Sequence, residues 1–228
     1  MWTDETTKSY DNFSITDNDT LWNFICDYSL RFYNAYSTAK FIDLCAGNGK
    51  FSKIMYDKYK IDVTSIDKYS QTPNVINCDC MEYLQENRSK VITCIGGVHF
   101  FDKEVFIENV EKSLVEGGTL ILLSCSRSSD LFGNKEFNEL FFSKGFEKNV
   151  SLLSNNDIYE SIEIKVKIDK SKMVNFISNK PWSSLALMDE LTISKMISLV
   201  PGSLEELSLK FDIRIYQKKG DILVCFKE

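Results

Sequence analysis

The stretch Phe41-Ile-Asp-Leu-Cys-Ala-Gly-Asn-Gly-Lys-Phe51 constrains this chain more than any other part of it. Phe41, Ile42, Leu44 and Cys45 make a short apolar run of the kind buried on both faces of a parallel sheet, and Asp43 interrupts it with a carboxylate that needs a partner. Gly47 and Gly49 follow, where positive φ is accessible and another molecule can come close to the backbone. From Lys50 to Lys60 the apolar residues Phe51, Ile54, Met55 and Tyr59 recur at helical spacing. A buried strand, a glycine turn and a helix therefore follow in that order, and the turn between them is suited to holding a ligand.

This unit resembles motif I of the class I S-adenosylmethionine-dependent methyltransferases, Asp/Glu-x-Gly-x-Gly-x-Gly, with Cys45 in the first glycine position and Gly47 and Gly49 in the other two. The resemblance implies an α/β fold: a Rossmann-like seven-stranded, mostly parallel sheet with an antiparallel C-terminal hairpin and a helical lid or insert before the last strands. It implies S-adenosyl-L-methionine (SAM) as cofactor and S-adenosyl-L-homocysteine (SAH) as product. It places Ala46, Gly47, Asn48 and Gly49 against the cofactor, with Asp43 orienting it through the loop or its amino group.

At 228 residues and 43% hydrophobic, the chain can bury one full core, so a single domain is expected. Its parts are an N-terminal arm and capping helix (1–36), a cofactor-binding core (37–150), a strand and helical insert (151–210) and the C-terminal hairpin (211–228). A formal charge of −6 and no dense Lys/Arg cluster argue against a nucleic-acid partner. The 7 cysteines are scattered along the chain, several of them within apolar strand-like runs, and read as reduced core residues. With 1 histidine in the chain there is no ligand set at zinc spacing, and no metal is expected. No apolar run reaches the roughly 18 residues of a membrane span. A cytoplasmic protein without a membrane partner, a monomer or homodimer, is the expectation.

Residues 1–20 are rich in Thr, Asp, Asn and Ser, with Tyr10 and Phe13 the notable apolar entries, and Leu21 to Tyr36 has the pattern of a helix. In the family such a segment lies over the cofactor, which makes Tyr10 and Phe13 candidate lid or acceptor contacts; packing of a terminal arm is the alternative. Ile61 to Ile66 reads as a second strand ending at Asp67-Lys68. An acidic residue there, roughly 20 residues past a glycine loop, is where Rossmann-type folds bind both ribose hydroxyls. The link Tyr69 to Asn74 is too short for more than a turn before a third strand, Val75 to Cys78. Asp79 then resembles the residue that takes the adenine amino group, with Cys80 and Met81 beside the ring, and it also suits the cap of a helix Met81 to Glu86.

Val91 to Ile95 reads as a fourth strand, followed by Gly96-Gly-Val-His-Phe-Phe101 and a helix from Asp102 to Leu114. This resembles motif IV of small-molecule, ubiquinone-biosynthesis-like methyltransferases, which implies that Gly96 and Gly97 approach the cofactor and that His99 and Phe100 face the methyl group. The Asn/Asp-Pro-Pro-Tyr signature of base amino-methylating enzymes and the Pro-Cys nucleophile of pyrimidine methylation are both missing. Val115-Glu-Gly-Gly118 resembles the family's turn into a fifth strand, Thr119 to Ser124. Further on, Asn134 to Lys144, Lys172 to Ser178 and Met188 to Val200 read as helices, and Ser161 to Ile168 alternates as a half-exposed strand. The turn Lys180-Pro-Trp-Ser-Ser184 fits an acceptor lid, with Trp182 either touching the acceptor or anchoring the loop. Phe211 to Ile215 and Ile222 to Phe226 are expected to pair as the final hairpin.

Methyl transfer from a sulfonium is an in-line displacement, so alignment and exclusion of water matter most. For a hydroxyl or carbon-acid acceptor a base helps, and His99 is the one histidine available. The expected activity is SAM-dependent methylation of an O, N or C atom of a small-molecule acceptor. A nicotinamide-dependent oxidoreductase is the alternative enzyme, opposed by Ser52 at the third glycine position, and a methyltransferase-fold binding protein without turnover is another.

Overall fold

The computed structural model describes residues 19–33, 38–126, 129–143, 158–180, 183–203 and 205–218. In chain order the elements are α1 (Asp19–Leu30), β1 (Lys40–Leu44), α2 (Lys50–Tyr59), β2 (Thr64–Ile66), β3 (Val75–Ile76), α3 (Cys80–Glu86), β4 (Ser89–Ile95), a 3-10 turn (Val98–Phe100) and α4 (Lys103–Ser113). Then come β5 (Leu114–Cys125), α5 (Lys135–Phe141), β6 (Ile158–Ile168), α6 (Lys170–Asn179), α7 (Ser183–Ala186), α8 (Glu190–Leu199) and β7 (Glu205–Gln217).

Five of the helices start where the sequence supplies a side-chain cap. Asp79, Asp102, Asn134, Asp169 and Asp189 each precede a helix and accept a hydrogen bond from its first turn with the side-chain oxygen, satisfying donors that have no partner within the helix. α2 ends at Lys60, in the left-handed region at φ 56°, whose N–H returns to Met55 and Tyr56 carbonyls.

One seven-stranded sheet, in the order β3-β2-β1-β4-β5-β7-β6, carries these elements. β3, β2, β1, β4 and β5 pair in parallel, and β7 runs antiparallel to both β5 and β6. Alternation along β1 assigns the two faces. Ile42 and Leu44 join Leu84, Ile92, Phe106, Val110 and Leu122 on the α3/α4 side, while Phe41 packs with Phe51 and Met55 on the α1/α2 side. The strand order reverses between β1 and β4, so the carboxyl ends of these two strands border the crevice where open α/β sheets bind ligands.

Several elements differ from the sequence expectation. β2 and β3 shrink to Thr64–Ile66 and Val75–Ile76, because β3 is an edge strand with Ile76 exposed and the segment before Val75 is a turn closed by Val75 N–H to Thr72 O. The turn expected at Val115 to Gly118 lies inside β5: Ser89 pairs with Leu114 and Val91 with Thr119, so these residues are a bulge that Gly117, at φ 65°, helps to form. Phe211 to Ile215 forms part of β7, which pairs with β5 and β6, so the antiparallel pair at this edge is β6–β7 with the helical insert α6–α8 between them. The other expected hairpin strand, Ile222 to Phe226, lies outside the described residues. The insert docks by buried Met173, Phe176, Ile177, Met188, Ile193 and Met196, with the Phe141 and Phe176 rings 6.2 Å apart. No helix among the described residues is long and apolar enough to cross a membrane.

Candidate active site

The glycine loop takes its shape from the backbone of its neighbours. Ala46 N–H donates to Ile66 O across to β2, and Gly49 N–H donates to Ala46 O at 2.9 Å, closing a tight turn. Cys45, Gly47 and Gly49 all lie at positive φ, of 54°, 57° and 74°. Cys45 is the unusual one, since a left-handed conformation costs an L side chain roughly 1–2 kcal/mol. Gly49 is needed for closeness as well: a Cβ there would lie 3.0 Å from Val75 Cγ2. A Cβ at Gly47 or Gly96 would meet nothing within 4 Å, so both backbones border open space.

Asp67, at the carboxyl end of β2, binds this loop. Its Oδ2 accepts from Gly47 N–H at 2.9 Å and its Oδ1 from Tyr69 N–H at 2.8 Å. Asp79 caps α3 through Met81 N–H at 2.9 Å and pairs with Lys68 Nζ at 3.3 Å on an exposed edge. Asp79 therefore has the capping role, and the Lys68 pair holds the loop after β2 against the start of α3. Cys80 is buried, with its Sγ 3.8 Å from Ile66 O, and Met81 packs at the edge of the same core. Asn48 is exposed and accepts from Lys50 N–H at 3.1 Å.

Asp43 is buried under the loop, 1% exposed, and Thr93 Oγ1 donates to it at 2.7 Å. Burial in a site poor in donors pushes its carboxyl up to about 7; the Thr93 hydrogen bond opposes that rise and the nearby Asp67 charge adds to it. Asp43, Thr93 of β4 and Ser65 of β2 are register partners, so three strands each place a polar residue in one row. Thr93 and Ser65 did not stand out in the sequence. The available signal was that each interrupts a strand in a sheet whose neighbours are apolar, as Asp43 does.

Across β4, Cys45 Sγ lies 4.0 Å from Gly97 O, and the Cys45 and Cys80 thiols interact, both held well above the usual thiol range. These are poor nucleophiles. Among the described residues no group of acidic, cysteine or histidine side chains is arranged to hold a metal ion. His99 sits half-buried in the 3-10 turn, its ring 4.0 Å from that of the exposed Phe100. Burial lowers the imidazole to about 4, which keeps it neutral near physiological pH.

The structure thus brings Asp43, Ala46, Gly47, Asn48, Gly49, Asp67, Lys68, Asp79, Cys80 and Met81 to the carboxyl ends of β1–β3, and Gly96, Gly97, His99 and Phe100 to the end of β4. Tyr10, Phe13 and Trp182 lie outside the described residues.

No family model matches the sequence, and no curated protein matches it. Solved structures do share the fold. A protein of Anabaena variabilis described as a methyltransferase from an antibiotic biosynthesis pathway superposes with a TM-score of 0.57 at 14% identity, covering 83% of this chain and 96% of that one. A protein of Anaeromyxobacter dehalogenans described as a type II methyltransferase gives 0.54 at 10% identity, covering 89% and 97%. Phosphoethanolamine N-methyltransferase 2 of Haemonchus contortus, solved with phosphomonomethylethanolamine and SAH, gives 0.53 at 13% identity over 96% of this chain. This chain spans only 58% of that longer enzyme. The fold is that of the class I SAM-dependent methyltransferases.

Proposed function

We propose that this chain is a SAM-dependent methyltransferase acting on an O, N or C atom of a small molecule. The observation that carries the reading is Asp67 at the end of β2, its carboxylate against the amide of Gly47 in the positive-φ loop that follows β1. An acidic group there is placed to take ribose hydroxyls. The open backbones at Gly47 and Gly96 give the group room, and the structural relatives crystallised with SAM or SAH support the same cofactor.

When bound, SAM supplies an electrophilic methyl group on a sulfonium. The backbone from Ala46 to Gly49 would hold its amino-acid end, Asp67 its ribose, and Asp79, Lys68, Cys80 and Met81 its adenine side, with Gly96 and Gly97 closing the β4 side. The chain's own contribution is alignment and removal of water. His99, neutral and half-buried, can accept a proton from a hydroxyl or carbon-acid acceptor, and Phe100 offers an apolar wall to it. The acidic composition and free thiols support a cytoplasmic enzyme of metabolites rather than of nucleic acid.

Titration calorimetry with SAM, SAH and NAD(P)H separates this from a dinucleotide enzyme. SAM and SAH are expected to bind and the nicotinamides are not. Nicotinamide binding without SAM binding would reverse the assignment. The antiparallel β7 between β5 and β6 favours the methyltransferase reading.

A further inference from the structure

The two edges of the sheet are protected unequally. β3 closes one of them with 2 residues, too short to template another strand. β6 closes the other with 11, about twice the usual strand length, and its pairing with β7 runs from Ile158 opposite Ile215 to Ile168 opposite Glu205 without a bulge. It contains no proline or glycine. Among the described residues no strand pairs with its outer side, so every second backbone N–H and C=O of β6 points away from β7.

The side chains select the strand that fits this edge. Ile164, Val166 and Ile168 are buried on one face of β6, and Ser161, Glu163, Lys165 and Lys167 are exposed on the other. Glu163 stands opposite Lys210 of β7 and accepts from the Ser208 hydroxyl, while Lys165 pairs with Glu206 at 2.9 Å. A foreign strand would have to match this order of charges, which is how charged edges keep other chains out. A second copy matches it. In an antiparallel pair related by a two-fold axis through Ile164, Glu163 faces the partner's Lys165, Ser161 the partner's Lys167 and Ile162 the partner's Val166. The row across the joined sheet then runs Lys210, Glu163, the partner's Lys165, alternating in sign. Other positions of the axis lose this. On Glu163 or Lys165 that residue meets itself, on Val166 two lysines meet, and on Ile162 no unlike charges meet.

We propose that β6 is a self-association surface: two copies of this chain join β6 to β6 in antiparallel, in the register centred on Ile164, to make one continuous sheet. The assembly closes at two, because the edges that remain are the short β3 strands. Strand pairing alone makes a small interface, so the dimer is weak. β5 and β7 separate β6 from β4, which leaves the crevice at the glycine loop to its ligand and makes the proposal independent of what binds there.

Sedimentation velocity from roughly 1 to 200 μM protein spans micromolar dissociation constants, and amide hydrogen exchange at both ends of that range reads β6 itself. The expected result is a passage from one chain to two as concentration rises, with alternate β6 amides gaining protection. Glu163→Lys and Lys165→Glu each set like charges together twice per dimer and are expected to weaken association about tenfold. Combining the two substitutions restores unlike charges between the copies, and association is expected to return to within about threefold of the wild type. Within one chain the combined variant still sets Lys210 and Glu206 beside like charges, so its melting temperature should be no higher than those of the single variants. Recovery of the dimer then cannot come from recovery of the fold. A single chain at every concentration, a dimer whose β6 amides gain no protection, or assembly beyond two chains overturns the proposal. So do single variants that associate like the wild type, or a combined variant that fails to recover.

Discussion

The side chain of Cys45 fills the space that a side chain at position 97 would need: a Cβ on Gly97 would lie 2.4 Å from Cys45 Cβ and 2.7 Å from its Sγ. The first glycine position of the loop is thus occupied by cysteine, and the residue across it on the β4 side has no side chain. Cys94 Sγ lies 3.3 Å from the same point, so the space is closed from a second direction.

Gly97→Ala is therefore expected to destabilise the protein by about 1–3 kcal/mol, the usual range for overpacking. Cys45→Gly should restore the loss when combined with it, because it removes the clashing atoms and relieves the positive φ at residue 45. Thermal melts of the two single variants and the double variant check this. Additive behaviour, with no rescue, would show that the two sites are not coupled through this contact.

Asp67→Asn keeps the size of the side chain and one acceptor oxygen while losing the charge. Since Asp67 accepts from both Gly47 and Tyr69 amides, a small loss of loop order is expected with it. The larger effect should fall on the nucleoside: a 10- to 100-fold weaker Kd for SAM and SAH alike, corresponding to about 1.4–2.8 kcal/mol. Calorimetry beside a thermal melt separates the parts. An unchanged Kd would remove Asp67 from the cofactor geometry.

The sheet and the loop were legible in the sequence because their signals are local: apolar runs of strand length, a Gly-x-Gly between strand and helix, and an Asp at position 79 suited to cap the helix that follows it. What escaped was set by contacts far apart in the chain. The meaning of Cys45 depends on Gly97, and the partner of Asp43 is Thr93, which only the β1–β4 register identifies. The glycines of Val115 to Gly118 carry a turn-like pattern, yet pairing with β4 on both sides turns them into a bulge within one strand. The position of β7 between β5 and β6 likewise follows from pairing, to which the alternation of a single strand is blind.

Asp43 and His99 should impose opposite slopes on stability against pH. The folded carboxyl of Asp43 is raised from 3.8 to about 7, so the folded state holds an extra proton between those values and stability falls as pH rises through the window. The folded imidazole of His99 is lowered from 6.5 to about 4, so there the unfolded state holds the extra proton, and stability is lost as pH falls through that window. From about pH 4 to 6.5 the two contributions oppose each other. Asp43→Asn should reveal the rising limb of His99 and raise stability at pH 7 and above, by at most on the order of 4 kcal/mol if the full shift is realised. Melting temperature against pH for wild type, Asp43→Asn and His99→Asn reads this directly. Identical profiles for all three would show that neither group titrates as its burial requires.

His99 poses a separate question of chemistry. An imidazole held to about 4 is a weak base, and it remains neutral and able to accept a proton from about pH 5 upward. With a hydroxyl or carbon-acid acceptor, His99→Ala is expected to lower kcat by 10²- to 10⁴-fold while SAM affinity stays within about twofold, because general bases act on the transition state and not on cofactor binding. The wild-type kcat/KM profile should show no acidic limb between pH 5.5 and 8 arising from this residue; a limb near 6.5 that disappears in the variant would mean that the ring is solvated in the working enzyme. If kcat is unchanged in His99→Ala, the imidazole serves to position the 3-10 turn beside Phe100, and the acceptor needs no base from this chain.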